Sequence, residues 1–251
     1  MRTEGCDWER LGALEPYFAV LTETRFLRAN LTAESLAAFF ASGEADVARL
    51  AALAAAESGE DFRPVKALEF GCGVGRLTFP IARRADAVVG VDVAPSLLAL
   101  AEAEAMERNV RNITLLPVEQ LSSLSAGTFD FIYSYIVFQH IPVAIGEKYV
   151  TQLLRLATPT ATVVLHFALS RPGGIVRRLL RSARAHFPQL HRFANFVEGR
   201  RDLPYMQMNT YDTSRIEKIL LNAGFRRPRI EVTNHGGIAG GVFVSSRCPP
   251  A

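Results

Sequence analysis

Apolar positions change their spacing along this chain near residue 62. Before that point they recur at helical intervals, most clearly in "LTAESLAAFFASGEADVARLAALAAAESG" (31–59). This stretch is rich in alanine, has Thr32 and Ser35 near its start, and reads as helix interrupted at Gly43. A polar, proline-containing stretch follows, "GEDFRPVK" (59–66). Beyond it, short apolar runs predict strands at Ala67–Phe70, Ala87–Asp92, Ile113–Pro117, Phe129–Val137 and Thr160–Phe167. Helical patterns lie between them, such as "PSLLALAEAEAMERN", which places Pro95 at a first helical position. Apolar strands alternating with helices predict an α/β fold, an open and mostly parallel sheet covered on both faces. Near the end, "RPRIEVT" and "GVFVSSR" flank a glycine-rich turn and predict an antiparallel hairpin at one sheet edge. The expected division is an N-terminal helical extension (1–62) and one α/β domain (63–251).

Composition adds limits. The 251 residues are 49% hydrophobic with a mean hydropathy of +0.14, enough for one large core. No apolar run approaches the roughly 20 residues that would span a bilayer. The start, "MRTEGCDWER", is charged and has no apolar leader, so no secretory signal is expected. Three scattered cysteines (Cys6, Cys72 and Cys248) lack metal-ligand spacing, which points to a reduced, cytoplasmic chain without disulfides or zinc. The net charge of +3 is unevenly spread. Residues 1–60 hold five Lys/Arg against ten Asp/Glu, whereas residues 171–201 hold eight arginines against Glu198 alone. Those arginines are not interleaved with the aromatics of a single-strand platform, so nucleic acid is not the expected partner.

The candidate chemistry starts at "ALEFGCGVGRLTFPIARR" (67–84), where a predicted strand runs into three alternate glycines and then a helical pattern. Glycines here let backbone N–H groups come close to a nucleotide or nucleoside; the alternative is a tight βα turn with no ligand. A dinucleotide fingerprint needs G-x-G-x-x-G, but the glycines are Gly71, Gly73 and Gly75, and Arg76 follows. No Gly-Lys-Ser/Thr of a phosphate-binding loop is present. Two carboxylates complete the pattern. Glu69 ends the first strand, where it would meet a cationic moiety, and Asp92 ends the second, where doubly wound folds hold a ribose diol. Taken singly, Asp92 reads equally as a helix cap and Glu69 as a solvated strand end. Adenosine joined to a cationic amino-acid tail describes S-adenosylmethionine (SAM).

"LEFGCGVGRLT", "VVGVDVAPSLLALAEAEA" and "FDFIYSYIVFQHIP", in that order, resemble the class I SAM-dependent methyltransferases of small-molecule type, from about Ala67 to the C-terminus. The resemblance implies a Rossmann-like, doubly wound sheet of seven strands whose last strand is antiparallel. It implies that Glu69, Gly71, Cys72, Gly73, Gly75 and Arg76 surround the methionine part of SAM. Asp92 then lies on the ribose, Val93 beside the adenine, and Ser134 and Tyr135 on the cofactor side of the fourth strand. Two departures are visible. Pro117 stands where the family often has an acid for the adenine amino group, which leaves Val118 or Glu119 to contact the adenine. "ATPTATVVLHF" replaces the usual Pro-Gly-Gly turn before the fifth strand, at the end of the sheet far from the site.

The loop "YSYIVFQHIP" follows the fourth strand, whose carboxyl end faces the ligand in open α/β sheets. His140 is the candidate general base for a hydroxyl acceptor; the alternative is that it orients the loop. His166 is a second candidate, and His186, His191 and His235 read as surface or lid residues. The segment at about 170–210 is longer than a crossover needs and reads as a lid, with Tyr205, Met206, Met208 and Tyr211 lining a pocket or the core. Its basic part, 171–201, can also rest on an anionic membrane surface or lie solvated on the domain. The expected activity is methyl transfer to an oxygen, nitrogen or carbon of a small-molecule or lipid-like acceptor, without metal. The rival readings are an NAD-dependent oxidoreductase on the same sheet and a non-catalytic binding module.

Overall fold

The computed structural model of the chain describes residues 4–59, 61–170, 203–204, 206–235 and 237–247. Strands β1 (Lys66–Phe70), β2 (Ala87–Asp92), β3 (Ile113–Pro117), β4 (Phe129–Ser134), β5 (Ala157–Ser170), β6 (Arg229–His235) and β7 (Ile238–Ser246) form one sheet in the order β3-β2-β1-β4-β5-β7-β6. Strands β1 to β5 are mutually parallel, while β7 is antiparallel to both β5 and β6. The carboxyl ends of β1 to β6 therefore share one edge, and the ends of β1, β2 and β4 meet there. The sheet is the doubly wound, seven-stranded arrangement with a terminal hairpin that the sequence predicts.

Alternating side chains along each strand divide the core in two. On one face, Leu68, Ile132, Val163 and Phe243 pack with Val150, Leu153 and Leu154 of α6 (Val143–Leu156) and Ile216 and Leu220 of α7 (Thr213–Asn222). On the other, Ala67, Phe131, Tyr133 and Val164 pack with Val47, Leu50 and Leu53 of α3 (Ala33–Ser58) and Leu77 and Ile81 around α4 (Thr78–Ala82). Each such Leu, Ile or Phe contributes roughly 1.5–3 kcal/mol through its burial.

Three local readings are corrected. Helix α3 is not interrupted at Gly43: it starts from a reciprocal Thr32–Ser35 capping box and runs unbroken to Gly59, which closes it at φ +76°. A Cβ on Gly43 would stand 2.0 Å from the carbonyl oxygen of Arg76, so the glycine serves the close approach of α3 to the glycine loop. Strand β4 ends at Ser134, not Val137, because Ile136 turns to φ +61°, a left-handed conformation that a β-branched residue adopts at a cost of about 1–3 kcal/mol. Strand β5 starts at Ala157, three residues early. Its residues 158–161 bulge opposite Asp130 alone, which accommodates Pro159, whose ring nitrogen has no N–H for the ladder. Asp130 instead accepts hydrogen bonds from the Val65 and Lys66 amides at 2.7 and 2.9 Å.

The N-terminal helices pack on the α/β part. From α1 (Glu4–Leu14), Glu9 accepts from the Ser96 amide at 3.0 Å and so caps α5 (Pro95–Glu107) with negative charge. Tyr17 of α2 (Pro16–Val20) donates to Glu104 at 2.5 Å, and its ring joins Phe26, Phe39, Phe40, Val74 and Phe79 in a third apolar cluster. Among the described residues no helix is long and apolar enough to cross a membrane. Residues 171–202 of the segment at about 170–210, and with them His186 and His191, lie outside the described residues, as do Tyr205 and Cys248.

Candidate active site

At the shared carboxyl edge the loop after β1 and the loop after β4 enclose a cavity of about 500 Å³. Gly71, Gly73, Asp92, Val93, Val118, Tyr135 and His140 line it together with Trp8, Ala19 and Val20 from the N-terminal helices, Ile141 from the turn before α6, and Ile145 and Tyr149 from α6.

The glycine loop is held closed from within. The amides of Gly71 and Cys72 both donate to the Val91 carbonyl, at 2.8 and 3.1 Å, and the Gly75 amide donates to Cys72 at 3.0 Å. The Gly73 amide donates to Asp92 Oδ2 at 2.8 Å. These four N–H groups therefore have protein acceptors, and the glycines contribute space more than donors, which corrects the expectation from sequence. A Cβ on Gly71 would stand 2.4 Å from Val137 Cγ2, and the residue has φ +80°. A Cβ on Gly73, at φ +54°, would stand 2.8 Å from Val20 Cγ2 on the cavity wall.

Asp92 is buried, and burial raises its carboxyl above the usual range while amide donors oppose the shift. Its Oδ1 accepts from the Ala94 amide at 3.0 Å, and Oδ2 from Gly73. Each oxygen keeps a second lone-pair direction, so the carboxylate can accept a vicinal diol from the cavity. Glu69 is not a solvated strand end. It is 3% exposed, and its Oε2 accepts from Thr78 Oγ1 at 2.6 Å and Tyr133 OH at 2.8 Å. Burial pushes its carboxyl up to about 8. Among the described residues Oε1 accepts no hydrogen bond.

His140 borders the cavity from the turn after β4, its ring edge-on to Trp8 with centroids 4.9 Å apart. Its Nδ1 lies 2.8 Å from the Gln207 carbonyl, which only accepts, so Nδ1 carries the proton and Nε2 the lone pair. The Gln139 amide approaches Nε2 at 3.2 Å. Residues at and just after the end of the segment at about 170–210 hold this turn in place: the Asn209 amide donates to the Gln139 carbonyl at 2.6 Å, and Tyr211 OH to the Ile141 carbonyl at 2.8 Å. Tyr211 is core, 3% exposed.

The remaining candidates stand apart from the cavity lining. Arg76 turns to α3 and binds Asp46 at 2.7 Å and Ser42 at 3.1 Å. Ser134 donates to the Phe70 carbonyl at 2.8 Å. Cys72 packs on Gly90, and burial pushes its thiol well above the usual range. Gly75 faces the Phe79 ring, and Glu119 is exposed on a short turn after β3. His166 and His235 lie beside Tyr135: the Tyr135 hydroxyl is 3.2 Å from His235 Nε2, and His235 is half-buried. Ile141, Ile145 and Tyr149 escaped the reading from sequence, since apolar residues opening an amphipathic helix look the same whether they face a core or a ligand. Among the described residues no group of three His, Cys, Asp or Glu is placed to hold a metal.

A strand, a glycine loop and a ribose-spaced acid at the carboxyl edge of this sheet define a nucleoside-binding α/β enzyme domain. Residues 67–160 match the family model described as a methyltransferase domain. That match and this sheet support a class I SAM-dependent methyltransferase. It is 28% identical over 232 residues to a protein named ubiquinone biosynthesis O-methyltransferase from Psychrobacter arcticus, covering 89% of this chain and 78% of that one. It is 32% identical over 100 residues to a 2-heptyl-1-hydroxyquinolin-4(1H)-one methyltransferase from Mycobacteroides abscessus, covering 39% of this chain and 44% of that one. The fold is shared with magnesium protoporphyrin IX methyltransferase from Synechocystis PCC 6803, solved with bound SAM, at a TM-score of 0.58 and 19% identity over 95% of this chain and 97% of that one.

Proposed function

We propose that this methyltransferase moves the methyl group of SAM to a hydroxyl oxygen of a small, largely apolar acceptor. The observation that carries the reading is one cavity bounded by Asp92, the glycine loop and His140, whose Nδ1–H is fixed by Gln207. The names of the relatives from Psychrobacter arcticus and Mycobacteroides abscessus, both methyltransferases of small molecules or of a biosynthetic route, support that acceptor class.

SAM supplies an electrophilic methyl on a sulfonium; the protein supplies the rest. Asp92 would accept the ribose hydroxyls, Val93, Leu97 and Val118 would give the adenine an apolar wall, and Glu69, buried behind the glycine loop, would offer Oε1 to the ammonium of the methionine tail. His140 Nε2 takes the acceptor's proton as its oxygen attacks, while Nδ1–H keeps the ring in place through Gln207. Holding the two reactants in line contributes as much as the base does. Helices α1 and α2 cover the cofactor and keep water out. A cytoplasmic location and peripheral membrane contact through 171–201 belong to the same reading.

Calorimetric titration with S-adenosylhomocysteine (SAH), SAM and NAD tests it. Charge-assisted hydrogen bonds contribute about 1.5–3 kcal/mol each, so Asp92→Ala lowers SAH affinity by about two orders of magnitude. NAD binding without SAM binding would sink the reading.

A further inference from the structure

Beside the cavity, on the α3 face of the sheet, lies a second polar cluster that the mechanism above does not use. The rings of Tyr135, His166 and His235 surround one another, with centroids 5.2 Å (Tyr135–His166), 5.7 Å (Tyr135–His235) and 5.2 Å (His166–His235) apart. Tyr135 is the wall it shares with the cavity. Arg49, Asp46 and Arg76 face it from α3 and the glycine loop, and Glu231 and Thr233 from β6. Gly240 of β7 completes the floor, since a Cβ there would stand 2.5 Å from His166 Nε2.

The cluster holds more donors than acceptors. His166 is 2% exposed; its Nε2 contacts Thr233 Oγ1 at 3.0 Å, and its Nδ1 is buried with no partner among the described residues. Arg76 is 4% exposed, and its Nε is likewise unpartnered although Nη1 binds Asp46. Nε and Nη2 of Arg49 are both buried and donate no aligned hydrogen bond, although Arg49 forms an ion pair with Glu231, 2.8 Å from Nε, and a side-chain hydrogen bond to Tyr135. Nε and Nη2 form the edge of a guanidinium that grips the two oxygens of a carboxylate side by side. Leaving such donors buried and unmet costs about 1–3 kcal/mol apiece. Burial lowers both histidines first; Arg49 adds to this for each, and Asp46 opposes it at His235, so the negative charge at the cluster comes from Asp46 and Glu231 at its edge.

We infer that Tyr135, His166, His235 and Arg49 form an acceptor subsite that takes a carboxylate of the methyl acceptor, with Arg49 as its bidentate anchor. This rests on the methyl-transfer reading, because the carboxylate end of the acceptor lies here while its hydroxyl reaches His140 through the cavity past Tyr135. Asp46 stays with Arg76, and Glu231 turns away from Arg49 to admit the ligand.

The test is titration of the full chain with 4-hydroxybenzoate and with its uncharged isostere 4-hydroxybenzamide, each with and without saturating SAH. The acid is expected to bind about tenfold or more tightly than the amide. Arg49→Gln removes that preference and leaves the amide unchanged, whereas Glu231→Gln strengthens acid binding about threefold by removing the competing carboxylate. Equal affinities for acid and amide, no binding of either, or an acid preference untouched in both variants overturns the subsite. A preference for the acid in a protein that fails to bind SAH supports the subsite and removes the methyl-transfer reading instead.

Discussion

The Nδ1–H of His140 donates to the carbonyl of Gln207, 2.8 Å away and 67 positions along the chain. A backbone carbonyl can only accept, so this one contact fixes the ring's tautomer and puts the lone pair on Nε2, where the Gln139 side-chain amide donates at 3.2 Å.

If His140 is a base, its Nε2 is needed without a proton. Replacement by Ala lowers the rate by roughly 10²–10⁴-fold with SAH affinity little changed, and removes the acid limb of the pH–rate profile. His140→Asn is the sharper variant, because its amide nitrogen can keep the bond to Gln207 while supplying no base. An Asn variant with near-normal turnover would mean that His140 only positions the loop.

In the proposed cofactor site, Glu69 is expected to couple cofactor binding to protons. Its carboxyl is raised from 4.5 to about 8, chiefly by burial, so at pH 7 it is mostly protonated when no cation faces Oε1. An ammonium there favours the charged form, so binding releases a proton below pH 8 and SAH affinity rises with pH until it levels above that value. Calorimetry in buffers of different ionisation enthalpy reads the release directly, and Glu69→Gln abolishes it. Heats that do not depend on the buffer would remove Glu69 from the site.

The same shift bears on the ligand-free fold. A carboxyl raised on folding stabilises fully below its unfolded value, and that contribution is lost as pH climbs through the folded one. Between pH 4.5 and 8 the melting temperature of the unliganded protein therefore falls relative to Glu69→Gln. Parallel thermal profiles of the two proteins across this window would contradict it.

Gly71→Ala combines a positive φ of +80° with a Cβ placed 2.4 Å from Val137 Cγ2. The expected loss is about 2–4 kcal/mol, from left-handed strain and overpacking together. Val137→Ala in the same chain relieves the contact but not the dihedral, so a double-mutant cycle in urea shows partial recovery. Additive effects of the two substitutions would show that the contact does not matter.

Deleting residues 1–31 removes Trp8, Ala19 and Val20 from the cavity wall and the Glu9 cap from α5. The shortened chain keeps α3 and its fold but binds SAH at least about tenfold more weakly, as expected where an apolar cover is lost. Deleting 1–60 also removes Val47, Leu50 and Leu53, which uncovers the apolar face of β1 and β4, and yields insoluble protein. Normal SAH binding by the shorter deletion would end the covering role.

The sequence by itself determined the sheet and the cofactor loop, since both are written in local order. Uniformly apolar runs such as Ala87–Asp92 can sit only in a sheet covered on both faces. The alternate glycines between Glu69 and Arg76, followed by Asp92, place an acid and a gap at two adjacent strand ends whatever the distant contacts. Tertiary structure decided which way the polar groups face. Arg76 goes to Asp46 and Ser42, and the glycine amides go to Val91, Cys72 and Asp92, because a buried donor takes the nearest acceptor that packing brings, wherever it lies in the chain. Gly43 reads as a helix breaker until the Arg76 carbonyl is seen against it, and His235 reads as surface until Tyr135 reaches it across 100 positions. Ile136 carries no local signal for a left-handed turn; the surrounding core imposes it and carries its cost.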